Sequence, residues 1–390
     1  MKHVLTILFS SVLLFTSYSQ WNQITSPYNG NLNTIEFIDQ NIGYIGGNTA
    51  IMKTLDGGIS WTSTSIADFS INCFSFPSST TGYYGANNNI VRKTTNGGTT
   101  WALQNPNLSP YGVLAMSFPT VNDGYVVGQV GTLRKTTNGG TTWITVNTGI
   151  TQDFNGVHFF DANVGLFIGD NGLIKRTSNG ITSWSTVSSG TSNNLEDIFF
   201  IDNSTGFIVG EGGTILKTTN AGVNWTAQTS GTNQWLYAVC FKDALEGYAG
   251  GINGIMLHTV DGGTSWQAVS SSIPTTIQDI KYNGSFFIGT ATQGRLISTY
   301  SATTSVDNLS SLEENDFVFF PNPTSKNVTL VFQELSNHNI KFYSSYGTLV
   351  KSIDVFEEKS IISVEDLPNG IYFIEATVKN SIIRKKIVIQ

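Results

Sequence analysis

Cleaving a glycosidic bond takes two carboxyl groups facing each other across a sugar, so the acids of this 390-residue chain come first. Asp39, Asp161, Asp202 and Asp243 each follow by two residues a phenylalanine that ends an apolar run: Phe37, Phe159, Phe200 and Phe241. Recurrence in register points to turns, where Asp accepts hydrogen bonds from nearby backbone amides. A catalytic pair would break such a register. Asp123, Asp153, Asp170, Glu196, Asp197, Glu211 and Asp279 do break it. Asp170 and Glu211 follow an apolar strand, where loops reach a face of the fold, but spacing assigns neither a partner. His3, His158, His258 and His338 are too scattered for metal-ligand spacing. The chain has no Gly-x-Ser-x-Gly elbow, no Walker loop and no Cys–His constellation. Asp56-Gly57 and Asp261-Gly262 lie inside a turn motif and make no calcium loop. Among the aromatic residues outside the repeat pattern (Tyr111, Tyr237, Tyr282), Trp235 follows Asn233-Gln234 in a loop. It could stack on a sugar or a peptide, or pack beneath its own loop. The sequence therefore predicts no catalytic residue, no cofactor and no metal. Trp235, Asp170 and Glu211 are the candidate ligand contacts.

The elements that would position them are short strands. Only 12% of residues are charged, Gly numbers 40, and aromatics reach 12%. That composition suits strands joined by tight turns. A net charge of −7 argues against a nucleic-acid partner, which needs a basic face. Lys2 and His3 precede an apolar run from Val4 to Phe15, then small polar residues. Residues 1–19 read as a signal peptide, the run being too short to span a bilayer; a retained anchor is the alternative. No later segment is apolar enough for a transmembrane helix. Cys73 and Cys240 sit in separate apolar strand patterns, as two buried small hydrophobes would.

Tryptophan reveals an internal period. Trp21, Trp61, Trp101, Trp143, Trp184, Trp225 and Trp266 are spaced by 40, 40, 42, 41, 41 and 41 residues. Each unit has an apolar strand ending in Phe, a strand opened by Gly six residues later, a third strand, a turn such as Thr94-Thr95-Asn96-Gly97-Gly98-Thr99-Thr100, then Trp and a fourth strand. Four strands in such a unit make one propeller blade. Six full units run from Asn33 to Trp266. A seventh stops near Tyr300 without its turn and Trp, and Trp21-Asn22-Gln23-Ile24-Thr25 supplies the missing piece. This predicts an all-β fold over residues 20–300, a seven-bladed β-propeller closed by the N-terminal strand, with eight blades as the alternative. Arg92 and Arg134 share one repeat position, and Arg176 falls where Lys53, Lys93, Lys135 and Lys217 recur. These cations are expected to form a ring of solvated charges.

The turn from Thr94 to Trp101 resembles the Asp-box, the BNR-type repeat turn of sialidases and related propellers. Matching turns run from Thr54 to Trp61, Thr136 to Trp143, Thr218 to Trp225 and Thr259 to Trp266; the one from Thr177 to Trp184 carries Ile181 where Gly belongs. The whole unit resembles repeats of the photosystem II assembly and stability factor family. The likeness implies the fold and little about function, because these turns lie on the rim. Sialidase activity is not expected, since the arginines sit at repeat positions and make no convergent clamp.

After Tyr300 the period ends. Residues 301–316 read as a polar linker. From Phe317 the chain predicts seven short strands in a small immunoglobulin-like β-sandwich. Phe320-Pro321-Asn322-Pro323, Tyr346-Gly347, Leu367-Pro368-Asn369-Gly370-Ile371-Tyr372 and the last strand, Arg384 to Gln390, resemble the type A C-terminal sorting domain of the type IX secretion system. An ordinary immunoglobulin-like binding module is the alternative. The resemblance implies that residues 317–390 engage the type IX machinery, and that the protein is secreted or attached to the outer cell surface. The expected function is a non-catalytic scaffold for an extracellular protein or glycan. The alternative is a glycoside hydrolase resembling Asp-box exo-glucanases active on xyloglucan.

Overall fold

The computed structural model describes residues 21–68, 70–104, 106, 112–300, 317–320, 324, 326–332, 337–344, 347–378 and 381–389. The expected signal peptide and linker, Tyr111, Tyr346 and the Pro321-Asn322-Pro323 motif lie outside these residues. The chain divides into two compact units, Met1–Tyr300 and Ser301–Gln390.

In the first unit the described residues form seven four-stranded antiparallel sheets. Six of them use four consecutive strands, as in Leu32–Phe37, Gly43–Gly47, Ala50–Thr54 and Thr62–Ser65. Burial falls outward: Gly43–Gly47 is wholly buried and Thr62–Ser65 wholly exposed. The small residues of the second strand have a packing cause. A Cβ on Gly46 would stand 2.4 Å from Ile71 Cγ2 of the next sheet, so only Gly lets the two sheets close. The seventh sheet joins Ile277–Tyr282, Phe287–Ala291 and Leu296–Ser298 to the N-terminal strand Asn22–Ile24. Asn22 pairs with Ser298, Gln23 with Ile297 and Ile24 with Leu296. The innermost strands touch in sequence order, and Leu32–Phe37 touches Ile277–Tyr282.

The recurrent turn is built as its residue types dictate. Thr54 Oγ1 accepts from Gly58 N at 2.8 Å, and Asp56 Oδ1 accepts from Ser60 N at 2.9 Å. At this turn Trp61 Nε1 also donates to Gly58 O at 3.1 Å, a bond that Trp101, Trp143, Trp225 and Trp266 do not repeat. Each tryptophan then packs on the preceding sheet: Trp101 on Tyr44, Trp266 on Phe207, and Trp21 on Tyr248 at 5.2 Å edge to face. Such aromatic pairs add about 0.5–1.5 kcal/mol beyond area burial. Ile181 takes the left-handed conformation of the Gly it replaces, with φ 66°. Asp39, Asp161, Asp202 and Asp243 each cap a hairpin, accepting from backbone amides two and three residues on.

The expected ring of solvated charges is not what forms. Lys93, Lys135 and Lys217 Nζ donate to the turn carbonyls Gly139 O, Gly180 O and Gly262 O of the following sheet, at 2.7, 2.9 and 2.6 Å. Arg176 Nε donates likewise to Ala221 O at 3.0 Å. Arg92 pairs with buried Asp68, which also accepts from Tyr84 Oη at 2.6 Å. Arg134 Nε donates to Pro106 O at 3.1 Å. Turn carbonyls left bare by the rim attract these cations, and the long apolar stems cover the aromatic rings below. The period recorded where the charges recur but not which partner each one meets.

In the second unit Phe317–Phe320, Asn327–Phe332 and Lys359–Ser363 form a three-stranded sheet. A four-stranded sheet runs in the order Leu349–Phe356, Asn337–Ser344, Gly370–Val378, Ser381–Ile389. Its core gathers Phe317, Leu330, Phe342, Tyr372, Ile374 and Ile387. Cys73 and Cys240 are unpaired and buried in the first unit.

Candidate functional site

Every innermost strand of the first unit carries a register shift near its start: between Leu32 and Thr34, Ile71 and Cys73, Val113 and Ala115, Phe154 and Gly156, Leu195 and Asp197, Leu236 and Ala238, Ile277 and Asp279. A bulge of this kind re-aims one side chain out of the ladder. The skipped residues are Asn33, Asn72 and Asn155 in three sheets, Leu114 in another, and Glu196, Tyr237 and Gln278 in the last three. All of them line a central cavity of about 700 Å³.

The asparagines at this position tie adjacent sheets. Asn33 Nδ2 donates to Ile71 O at 3.0 Å, Asn72 Nδ2 to Val113 O at 2.7 Å, and Asn155 Nδ2 to Leu195 O at 3.0 Å. In the fifth and seventh sheets the next residue takes over. Asp197 Oδ2 accepts from Val239 N at 2.9 Å, and Asp279 Oδ2 accepts from Ile35 N at 2.9 Å and Thr34 Oγ1 at 3.1 Å. The second tie joins the last sheet to the first.

These ties leave charge in the wall. Lys281 Nζ lies 3.4 Å from Asp279 Oδ1 and 4.0 Å from Glu36 Oε2. Burial opposes the Lys281 ammonium, but Asp279, Glu36 and Asp197 overcome it and hold its pKa above the ordinary range. Burial pushes the Glu36 carboxyl up to about 7 despite Lys281, with Asp279 and Asp197 adding to the rise. Asp197 is pushed to about 6, again mainly by burial, with Lys281 opposing. His158, in the register position of Glu36 and Lys281, stacks on Phe200 at 4.7 Å, and burial lowers its pKa to about 4. It is neutral at ordinary pH.

None of the three candidates named from sequence lines this cavity; Asp170 and Trp235 each lie next to a residue that does, Asn155 and Tyr237. Asp170 and Glu211 begin short 3-10 turns after the second strands of the fourth and fifth sheets. Asp170 Oδ1 accepts from Asn155 Nδ2 at 3.0 Å, and Glu211 Oε2 accepts from Asn194 N at 3.1 Å. Both act on Glu196, whose carboxyl is pushed up to about 7 by burial first, then by Asp170, Glu211 and Asp197. Trp235 is half-buried, with its ring centroid 5.9 Å from that of Tyr237. Burial, then Glu196 and Glu211, raise the Tyr237 phenol. Sequence reasoning missed Glu36, Lys281 and the role of Tyr237. Each innermost strand offers a residue at the bulge and one three places on, so aligning the units at those two positions would have found them.

The family model described as "Photosynthesis system II assembly factor YCF48" matches residues 14–107 and 176–303, and that of a "Secretion system C-terminal sorting domain" matches residues 318–390. No curated protein matches the chain. Among solved structures, "YCF48 bound to D1 peptide" is similar at TM-score 0.62 and 20% identity, over 73% of this chain and 96% of that one. "YCF48 from Cyanidioschyzon merolae" follows at TM-score 0.61 and 21% identity, over 72% and 98%. The RRP9 WD40 repeats, at TM-score 0.59 and 8% identity over 72% and 97%, share the propeller fold alone. With its repeats matched over more than half its length, the chain belongs to the YCF48-type photosystem II assembly factor family and ends in a secretion-system sorting domain.

Proposed function

We propose that the protein is a non-catalytic seven-bladed propeller that binds an extracellular protein or glycan at its central channel. Its order is a signal peptide at 1–19, the propeller at 20–300, a linker at 301–316 and an immunoglobulin-like sorting domain at 317–390. The sorting domain, matched over 318–390, supports handling by the type IX machinery and a secreted or outer-surface location. In that setting no photosystem assembly complex is at hand, so the repeat serves another ligand. A relative whose structure carries a D1 peptide supports peptide binding as one use of this fold.

One observation carries the non-catalytic reading. The two wall aspartates, Asp197 and Asp279, are engaged by the backbone amides of the following sheet, and Asp279 accepts further from Thr34 Oγ1 and Ile280 N. A nucleophile or base needs a free lone pair aimed at substrate; the oxygens of Asp197 and Asp279 hold sheets together, so these two are not the facing pair of free carboxyls that glycosidic cleavage needs. Screening the purified full chain against arrays of peptides and plant and host glycans tests the reading. Binding without turnover is expected, and robust hydrolysis of any glycan would replace it with the glycoside hydrolase alternative.

A further inference from the structure

The charged groups of the cavity wall fall into two sets with opposite accounts. Around Lys281 the charges answer one another: one ammonium meets Asp279 and Glu36. Around Glu196 they do not. No ion pair among the described residues reaches Glu196, Asp170 or Glu211, and Asp170, Glu211 and Asp197 all raise the cost of ionising Glu196. Beside this unanswered negative charge stand two aromatic rings. Tyr237 is the bulged residue of the sixth sheet, next to the bulged Glu196 of the fifth, and both line the cavity. Trp235 lies two residues before Tyr237, ring to ring at 5.9 Å. Neither the Tyr237 hydroxyl nor the Glu196 carboxyl has a hydrogen-bond partner among the described residues. In this Glu196 differs from its neighbours Glu211 and Asp170, which accept from Asn194 N and Asn155 Nδ2, and from Asp39, Asp68, Asp197 and Asp279, each engaged by backbone amides or a cation.

We propose that the stretch of cavity wall carrying Glu196 and Tyr237, with Trp235, Glu211 and Asp170 next to it, takes the cationic side chain of a polypeptide segment, a lysine or arginine inserted from the partner. The inference rests on the binding reading given above and names its ligand class. A ring face attracts a cation within about 6 Å of its centroid, and carboxylates beside it supply charge-assisted acceptors. The cavity gives the extended stem a place to go. A neutral sugar would leave the mutual repulsion of these acids in place, and an anionic glycan would add to it; a cation removes it.

The probe is a fluorescein-labelled lysine decapeptide, with its fully acetylated form and a set of neutral xyloglucan and cello-oligosaccharides for comparison, titrated against the full chain. The lysine peptide is expected to bind at least tenfold more tightly than the acetylated one. Glu196→Gln with Glu211→Gln should weaken it at least tenfold, and Trp235→Ala at least threefold. Glu357→Gln with Glu365→Gln, which removes the same charge from exposed sites in the C-terminal unit, should leave binding unchanged. Lowering the pH from 8 to 5.5 should weaken the wild type as Glu196 takes up its proton, and should leave the double Gln variant flat. Equal loss in the two double variants would assign the binding to net charge and overturn the inference. Tight binding of the acetylated peptide, or of a neutral oligosaccharide that Trp235→Ala abolishes, would overturn it while leaving a binding scaffold; glycan turnover would overturn both.

Discussion

Replacing Lys281 with methionine should unbalance the channel wall in a way that depends on pH. The ammonium contacts Asp279 at 3.4 Å and Glu36 at 4.0 Å. Removing one partner of a buried pair costs about 3–5 kcal/mol. Here the Lys281 and Glu36 side chains are 27% and 34% exposed, and channel water screens them, so about 2 kcal/mol is expected at pH 8. At pH 5 Glu36 and Asp197, held near 7 and 6, are already neutral. With those two neutral the ammonium answers less charge, and the loss falls to about 1 kcal/mol or less. The sign is set by carboxyls whose pKa is raised on folding. The native state keeps protons that the unfolded chain, at 4.5 and 3.8, has released, so the stability they contribute is lost as pH rises through 6 and 7. All eight tryptophans lie between Trp21 and Trp266, so urea unfolding followed by tryptophan fluorescence reports the first unit alone. A destabilisation of equal size at pH 5 and pH 8 would refute the account of the wall.

Two further substitutions separate backbone from packing. Ala221 holds φ 56° in its turn; Ala221→Gly relieves about 1–2 kcal/mol of strain against about 0.5–1 kcal/mol of added backbone entropy, and should raise the urea midpoint slightly. Ile181 has the same kind of backbone, φ 66°, but is buried at 7% exposure; Ile181→Gly should lower the midpoint, because the cavity left costs about 2–5 kcal/mol. Asp68→Asn should destabilise by about 1–3 kcal/mol at pH 7, since it breaks the pair with Arg92, whose side chain is 27% exposed. Hydrogen bonding from Arg92, set against burial, holds the Asp68 carboxyl below its ordinary range, so the difference should vanish as acid protonates Asp68; persistence of the full difference below pH 3, read by the same fluorescence titration, would count against the pairing.

Trp235, Asp170 and Glu211 could be singled out because each departs from its repeat. In the fold Asp170 and Glu211 accept hydrogen bonds from Asn155 Nδ2 and Asn194 N, which departure from the repeat does not reveal. The same test failed for the cations. Lys93, Lys135 and Lys217 repeat, and repetition on a rim reads as solvation, yet each reaches a carbonyl about 45 positions away in the next sheet. Glu36 and Lys281 escaped notice for a related reason: they stand at one register position in the first and last sheets, far apart in the chain and adjacent only because Leu32–Phe37 touches Ile277–Tyr282.

The sequence by itself determined the four-strand unit, the Asp-box turns and the pairing of the N-terminal strand with the last sheet. All of these are local or periodic: a Gly, a Thr, an Asn and a Trp at fixed spacing need only neighbours a few residues away. Tertiary structure alone decided what faces the channel. A one-residue bulge turns Asn33, Glu196 and Tyr237 inward, and a shift of one residue in a strand exchanges its faces. Which acids meet a cation and which stand unanswered then depends on contacts between sheets that no spacing along the chain records.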